Sequence, residues 1–297
     1  AFLSAGSPEM SGDALALVLA GAFCHAVWNI VAKKAGGGAA FVFLFGVVSV
    51  VAAAPVAAWT WMRLPQHFDA TMWFAAAASG LIHVLYSLVL QKAYREADFA
   101  VVFPVARGTG PMLSVVVAIL LLGEQPSLVG CLSVGAILIG VFVSAGAAGI
   151  WRGGAHQRHL GVLWGMATGV FIAAYTVLDG WAIKTLGMVP VLFYAAGLAL
   201  RTLLLAPFAL RRMDDLRRQW RAGRAAIVAV GLLSPTAYRL VLFAVQRAPV
   251  SYVAPVREIS MLVGTFIGAS LLRENVKPSQ VAGAAIMLAG VVGLAWA

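Results

Sequence analysis

Long apolar runs, each about the twenty residues a helix needs to cross a hydrocarbon core about 30 Å thick, fill this chain almost end to end and leave little of it for anything else. They lie near 13–33, 39–61, 68–92, 98–122, 127–149, 159–182, 188–210, 224–246, 250–272 and 279–297. At 62% hydrophobic and 11% charged residues, with mean hydropathy +0.94, the 297-residue chain has a lipid-facing composition. The runs are continuous, whereas barrel strands alternate over about ten residues. The expected fold is therefore an all-α membrane protein with ten transmembrane helices. No room remains for an extramembrane catalytic domain.

The second constraint is an internal repeat. Pro55 pairs with Pro207, Pro104 with Pro255 and Pro126 with Pro278, at spacings of 152, 151 and 152. Around the middle pair, ADFAVVFPVAR (97–107) lies over APVSYVAPVR (248–257), and a Glu follows each Arg by seventeen residues, at Glu124 and Glu274. Each copy holds five spans, an odd number, so the second enters the membrane upside down. A pseudo-two-fold axis in the membrane plane then places any substrate site near the midplane between copies.

The domain reading follows from this. Residues 1–10 read as a linker-like remnant ahead of a native Met10, residues 11–149 as the first five-helix repeat, 150–158 as a linker and 159–297 as the second repeat. The first apolar run lacks a basic n-region and is long enough to span, so it is expected to stay as helix 1.

The two blocks above, together with the turns LLGEQPS (121–127) and LLRENVKPS (271–279), resemble the ten-helix, EamA-type members of the drug/metabolite transporter superfamily over the whole chain from about Asp13. The resemblance implies a bacterial inner-membrane carrier working by alternating access, commonly an exporter of amino acids, other metabolites or drugs. Among these it is most similar to the aromatic amino-acid exporters. No cofactor is implied.

Basic residues are distributed unequally between the two sets of loops. One side carries Lys33, Lys34, Lys92, Arg95, Arg152, Arg158, six arginines from Arg211 to Arg224, Arg273 and Lys277; the other carries Arg63, Lys184 and Arg247, fourteen against three. The positive-inside rule puts the first side in the cytoplasm and both termini in the periplasm. The net charge of +10 is thus a topology signal. The segment RRMDDLRRQWRAGR (211–224) reads as contact with lipid headgroups and not as a nucleic-acid site. Cys24 and Cys131 stand singly inside spans without metal-ligand spacing, and read as packing residues.

Arg107, Arg201, Arg239, Arg257, Asp179 and Glu258 fall within spans. Each ionisable group at a helix centre costs at least about 2.5 to 3.5 kcal/mol, so such groups face a cavity, a partner or a pathway. The repeat-related Arg107 and Arg257 read either as pathway residues or as a symmetric lock on backbone carbonyls loosened near the prolines. Glu258 points about 100° from Arg257 on a continuous helix, which makes its expected partner a residue of another helix. On helix 1, His25, Trp28 and Asn29 share one face. The small multidrug members of the superfamily carry a carboxylate eight residues before a lysine there; His25 holds that spacing to Lys33 and offers a titrating imidazole instead of a fixed anion. His25, Arg107, Asp179, Arg257 and Glu258 form the candidate coupling or gating set.

Helix 3 offers His83, Ser87 and Gln91 on a stripe with Tyr86 at its edge, and helix 6 offers Trp164, Phe171, Tyr175 and Asp179 on one face. Tyr175 lies 147 residues after Trp28, and Tyr238 152 after Tyr86. The candidate substrate-binding set is Trp28, Asn29, His83, Tyr86, Trp164, Tyr175, Tyr238 and Arg239. Trp59, Trp61, Trp151, Trp220 and Trp296 near span ends read as interfacial belts. Pro55, Pro104, Pro111, Pro207, Pro235 and Pro255 supply kinks, and Gly264 with Gly268 forms a GxxxG suited to close helix packing.

Two function classes stand beside each other. One is a secondary transporter of a small amphiphilic metabolite, with aromatics on its apolar part and Arg239, Asn29 or Asp179 on its polar ends. The other is an intramembrane enzyme or sensor, for which no paired-aspartate or HExxH motif is present, nor a Walker-type loop for ATP. Within transport, nucleotide sugars, sugar phosphates and cationic drugs are the rival substrates. Membrane lipid and a small molecule are the expected partners; monomer and homodimer remain open.

Overall fold

In a computed structural model, residues 10–35, 38–97, 99–144, 155–272 and 277–297 are described. Trp151, Arg152, Arg273 and Glu274, the side chains of Lys33, Lys34, Gln91, Arg95, Pro104 and Arg158, and Gly268 lie outside the described residues.

Eleven helices follow one another among the described residues: α1 (Gly12–Lys34), α2 (Ala39–Arg63), α3 (Ala70–Glu96), α4 (Phe99–Leu122), α5 (Leu128–Ser144), α6 (Ala155–Lys184), α7 (Pro190–Leu210), α8 (Met213–Val245), α9 (Val250–Val256), α10 (Ile259–Leu272) and α11 (Pro278–Leu294). Seven of them, α1 to α4 and α6 to α8, contain stretches long and apolar enough to cross a membrane. The apolar α5 and α11 are shorter, 17 residues each.

Two expectations need correction. The ninth apolar run is not one helix but two, broken at Arg257 and Glu258. Pro255 has no N–H to give the helix ladder, and across the break the bonds tighten to the i+3 pattern: Glu258 N–H donates to Pro255 O, Ser260 N–H to Arg257 O and Met261 N–H to Glu258 O, at 2.9 to 3.1 Å. The arginine-rich segment before the eighth run is helical and not a loop. Helix α8 begins at Met213 and bends at Gly223, whose φ of −140° and ψ of 25° leave the helical region. Arg218 pairs with Asp215 one turn away, and Trp220 is exposed beside them.

The two copies share one core. Helix α1 packs on α8 and α3 on α6; α2 meets both α7 and α8, and α3 meets α7. Exchanging the copies turns the first pair into the second, so the packing itself carries the two-fold relation. Helices α5 and α11 close against each other through small residues. A Cβ on Gly290 would sit 2.6 Å from Ser133 O, and one on Gly140 would sit 2.7 Å from Gly283 O. As the position rises on α11 it falls on α5, so these repeat-mates run antiparallel, as inverted copies require.

Between α4 and α6 the contact is parallel. Gly161, Gly165 and Gly169 lie against Val101, Val105 and Thr109, and a Cβ on any of the three would come within 2.7 to 2.8 Å of the facing Cβ. This Gly-x₃-Gly-x₃-Gly run brings the helices together as small-residue motifs do in membranes. Gly264, by contrast, meets Ala26 at an ordinary 3.9 Å, with nothing closer among the described residues.

One end of the bundle is laced by polar contacts between connections. Gln66 donates to Gly187 O and accepts from Val189 N–H, both at 2.9 Å. Lys184 pairs with Glu124 at 3.4 Å, and Arg247 with Asp13 at 3.1 Å. The Glu124 carboxylate also receives the N–H groups of Val250 and Ser251 at the start of α9. Lys184, Arg247 and Arg63 belong to this end, the one poor in basic residues.

Candidate functional site

The break between α9 and α10 places Arg257 and Glu258 in the middle of the bundle, 7% and 1% exposed. Glu258 receives Arg107 of α4 at 3.1 Å on one carboxylate oxygen and lies 3.8 Å from Arg257 Nε on the other. The expected partner on another helix is thus present. The adjacent arginine also reaches the carboxylate, because the chain there is not a regular helix and the 100° rule does not hold. Both repeat-related arginines therefore turn to one carboxylate. His25 of α1 lies within electrostatic reach of the same two arginines.

Beyond this ionic node lies a basin of rings. Arg257 stands over the face of Tyr175 at 5.7 Å, a cation–π contact. Tyr175 stacks on His83 at 4.2 Å and meets Tyr86 and Tyr238 edge-on at 5.8 and 6.3 Å. His83 in turn abuts Tyr238, and Tyr238 abuts Tyr194 of α7 at 5.4 Å. Rings from α3, α6, α7 and α8 thus converge, as the four spans' shared packing requires.

Asp179, one turn beyond Tyr175 on α6, is 2% exposed. The Tyr238 hydroxyl donates to its Oδ2, while its Oδ1 is buried with no hydrogen-bond partner among the described residues. The Ser79 hydroxyl stands close by, and among the described residues no cation comes within ion-pair distance. A buried carboxylate so poorly compensated is costly. His83 is oriented by its Nδ1 against Ser79 O at 2.8 Å.

The remaining predicted positions lie elsewhere. Trp28 rests edge-on against His25 at 4.9 Å and packs in the small cluster of Phe41, Ile227 and Val230, its indole N–H buried without a described partner. Asn29 donates to His25 O at 2.7 Å on its own helix. Arg239 likewise turns to its own helix, to Pro235 O at 3.2 Å and the Thr236 hydroxyl at 3.4 Å. Trp164 sits under Lys92 at 4.8 Å, eleven residues or about 16 Å along α6 from Tyr175. The predicted residues that the structure gathers are His83, Tyr86, Tyr175, Asp179 and Tyr238, with Arg107, Arg257 and Glu258 next to them.

Sequence reasoning missed Tyr194 and Ser79, and left Arg201 without a role. A signal existed. Tyr194, Gly197, Leu198 and Arg201 stand at i, i+3, i+4 and i+7, one face of α7, and that face lines a narrow cleft with Ser79, Gly80 and His83.

A larger cavity of about 550 Å³ opens where α4 and α6 diverge beyond the glycine run. It is lined by aliphatic side chains such as Val117 and Leu178, and by Trp181. It has no convergent polar groups to orient a ligand. Among the described residues no cluster of His, Cys, Asp and Glu could hold a metal ion.

The chain matches the EamA-like transporter family twice, over residues 12–146 and 159–296. No curated protein matches. A crystal structure of another protein is similar along 94% of this chain and 95% of its own, with a TM-score of 0.73 at 18% identity. At that identity the likeness is one of fold.

Proposed function

From the premise that this chain belongs to the EamA-like transporter family, we propose that it is a secondary carrier of the bacterial inner membrane that exports small amphiphilic metabolites, amino acids with aromatic or large apolar side chains foremost, by alternating access. In this reading α9 and α10 are two halves of one span, α5 and α11 are short spans, and ten crossings in two inverted sets of five put both termini in the periplasm. The laced end, poor in basic residues, is then periplasmic.

One observation carries the reading: His83, Tyr86, Tyr175, Tyr194 and Tyr238 form one ring cluster where helices of both copies meet, and its Tyr238 hydroxyl holds a buried, under-compensated Asp179. Ring faces receive a flat apolar body, and a carboxylate receives an ammonium. A nucleotide sugar would bring anions to Asp179, whereas a purely cationic drug would face Arg257 and Arg201.

The test is counterflow in proteoliposomes over amino acids, quaternary amines and nucleotide sugars. Phenylalanine, tryptophan or leucine inside the vesicle should accelerate uptake of the labelled counterpart. Exchange of nucleotide sugars or amines alone would reject the substrate and keep the carrier; no exchange of any solute would reject the carrier.

A further inference from the structure

Four arginines lie within the apolar runs, and the structure accounts for three of them. Arg107 and Arg257 share Glu258, and Arg239 folds back on Pro235 O and Thr236. Arg201 has neither. Among the described residues no carboxylate comes within ion-pair distance of it and no helix carbonyl receives its guanidinium. It lies midway along α7, where an uncompensated cation costs most. Its contacts are with the Tyr194 side chain and, electrostatically, with His83.

Its position there is built. Gly80 of α3 and Gly197 of α7 let the two backbones approach, and a Cβ on Gly80 would stand 3.0 Å from Gly197 O. That closeness brings Arg201 to the cleft shared with Ser79, His83 and Tyr194. Tyr194 feels the charges of both Arg201 and Asp179, and it touches Tyr238, which holds Asp179. A cation on α7 and a carboxylate on α6 thus lie to either side of Ser79 and Tyr194, and among the described residues they do not pair with each other. Either charge alone is a liability in the membrane; both are relieved together by a ligand that carries the opposite pair.

We propose that Arg201 and Asp179 are the two poles of a zwitterion site, Arg201 taking the carboxylate and Asp179 the ammonium of a free α-amino acid whose side chain lies on the rings of Tyr175 and Tyr238. The inference rests on the carrier reading and assigns the charged end of its substrate. A guanidinium suits the carboxylate because its planar donors match two oxygens at once.

The experiment compares phenylalanine with phenylalaninamide, which keeps the ammonium, and 3-phenylpropionate, which keeps the carboxylate, as competitors of labelled phenylalanine counterflow. Wild-type protein should prefer phenylalanine over each by roughly tenfold or more, as loss of a charge-assisted contact predicts. Arg201→Gln should lose most of the preference over the amide, Arg201→Lys should keep part of it, and Asp179→Asn should lose the preference over 3-phenylpropionate. Ligand-induced thermal stabilisation of the wild-type protein supplies a second readout that needs no variant: phenylalanine should raise the Tm and the two analogues should not. Phenylalanine transport with an unchanged preference in Arg201→Gln, or equal stabilisation of the wild type by all three ligands, would overturn the assignment and leave the carrier standing. Absence of any amino-acid exchange by the wild type would reject the amino-acid substrate together with this assignment, and exchange of no solute at all would reject the carrier as well.

Discussion

The carboxylate of Glu124, at the end of the fourth apolar run, caps the start of α9 by accepting the N–H of Val250 at 2.7 Å and that of Ser251 at 2.9 Å. A helix start leaves its first N–H groups without partners, and Pro249 at the N-cap has no side-chain group to offer. The acid supplied from the connection after α4 does this work, and Lys184 pairs with it. Glu124→Ala should therefore lower the thermal stability of detergent-solubilised protein by about 1 to 3 kcal/mol, with Glu124→Gln losing less because its amide oxygen still accepts one bond. Equal stability of Glu124→Ala and wild type would show that water replaces the cap.

Removal of Glu258 should be worse than removal of either arginine that shares it. Glu258→Gln takes the carboxylate away from the buried Arg257 and from Arg107 at once, at about 3 to 5 kcal/mol for a broken buried pair. Arg107→Gln leaves Arg257 still beside the acid. Yield of monodisperse protein and melting temperature for the two variants decide it, and the opposite order would mean that Glu258 is held by other contacts.

Glycine substitutions separate structural from incidental small residues. Gly283→Ala places a methyl 2.3 Å from Ser144 N and 2.6 Å from Gly140 O, both backbone atoms that cannot step aside. Overpacking of this kind costs about 1 to 3 kcal/mol. Gly135→Ala, on the same helix as Gly140 but with nothing within 4 Å of its Cβ, should be neutral or stabilising. A parallel fall in melting temperature for both would contradict the α5–α11 contact.

Much of this architecture is legible in the chain because lipid imposes simple rules. Run length marks most helices, and paired prolines mark the repeat. What is illegible has physical reasons. Glu124 and Val250 are 126 residues apart, and a cap between distant segments leaves no local pattern. The segment 213–222 lacks an apolar run yet is helical, because a helix lying at an interface needs only one apolar side. The Gly161–Gly165–Gly169 run is present as a motif, but its partner becomes apparent only when Val101, Val105 and Thr109 are seen against it. At the site, Tyr175, Tyr238 and Asp179 stand out as polar groups deep in spans. Arg239 and Asn29 stand out equally, and only geometry shows their side chains spent on their own helices.

Orientation can be tested without a substrate. A reporter active only outside the cytoplasm, fused after Ala297, should be active, and a cysteine introduced at Gln219 should resist impermeant thiol reagents added to intact cells until the membrane is opened. The basis is the excess of basic residues on the side that carries Arg211 to Arg224. A cytoplasmic C-terminus would remove either the count of ten crossings or the assignment of the inner side.

The aromatic basin makes a graded prediction about selectivity. Tyr175 sits at its centre, with His83 stacked at 4.2 Å and Tyr86 and Tyr238 edge-on, whereas Trp28 is packed with Phe41 and Ile227 between α1, α2 and α8. Under the carrier reading, Tyr175→Ala should weaken competition by phenylalanine or tryptophan relative to alanine, and Tyr86→Ala should do so less. Each lost aromatic contact is worth about 0.5 to 1.5 kcal/mol beyond its buried area, or roughly two- to tenfold in apparent affinity. Trp28→Ala should act on stability first and shift the ratio of aromatic to small substrate least. Tyr238→Phe separates the ring from its hydroxyl: the stack survives, the donor to Asp179 is lost, and affinities for all α-amino acids should fall together. Affinity measurements by counterflow inhibition across the four variants decide it, and a selectivity change in Trp28→Ala larger than that in Tyr175→Ala would move the substrate out of the basin toward α1.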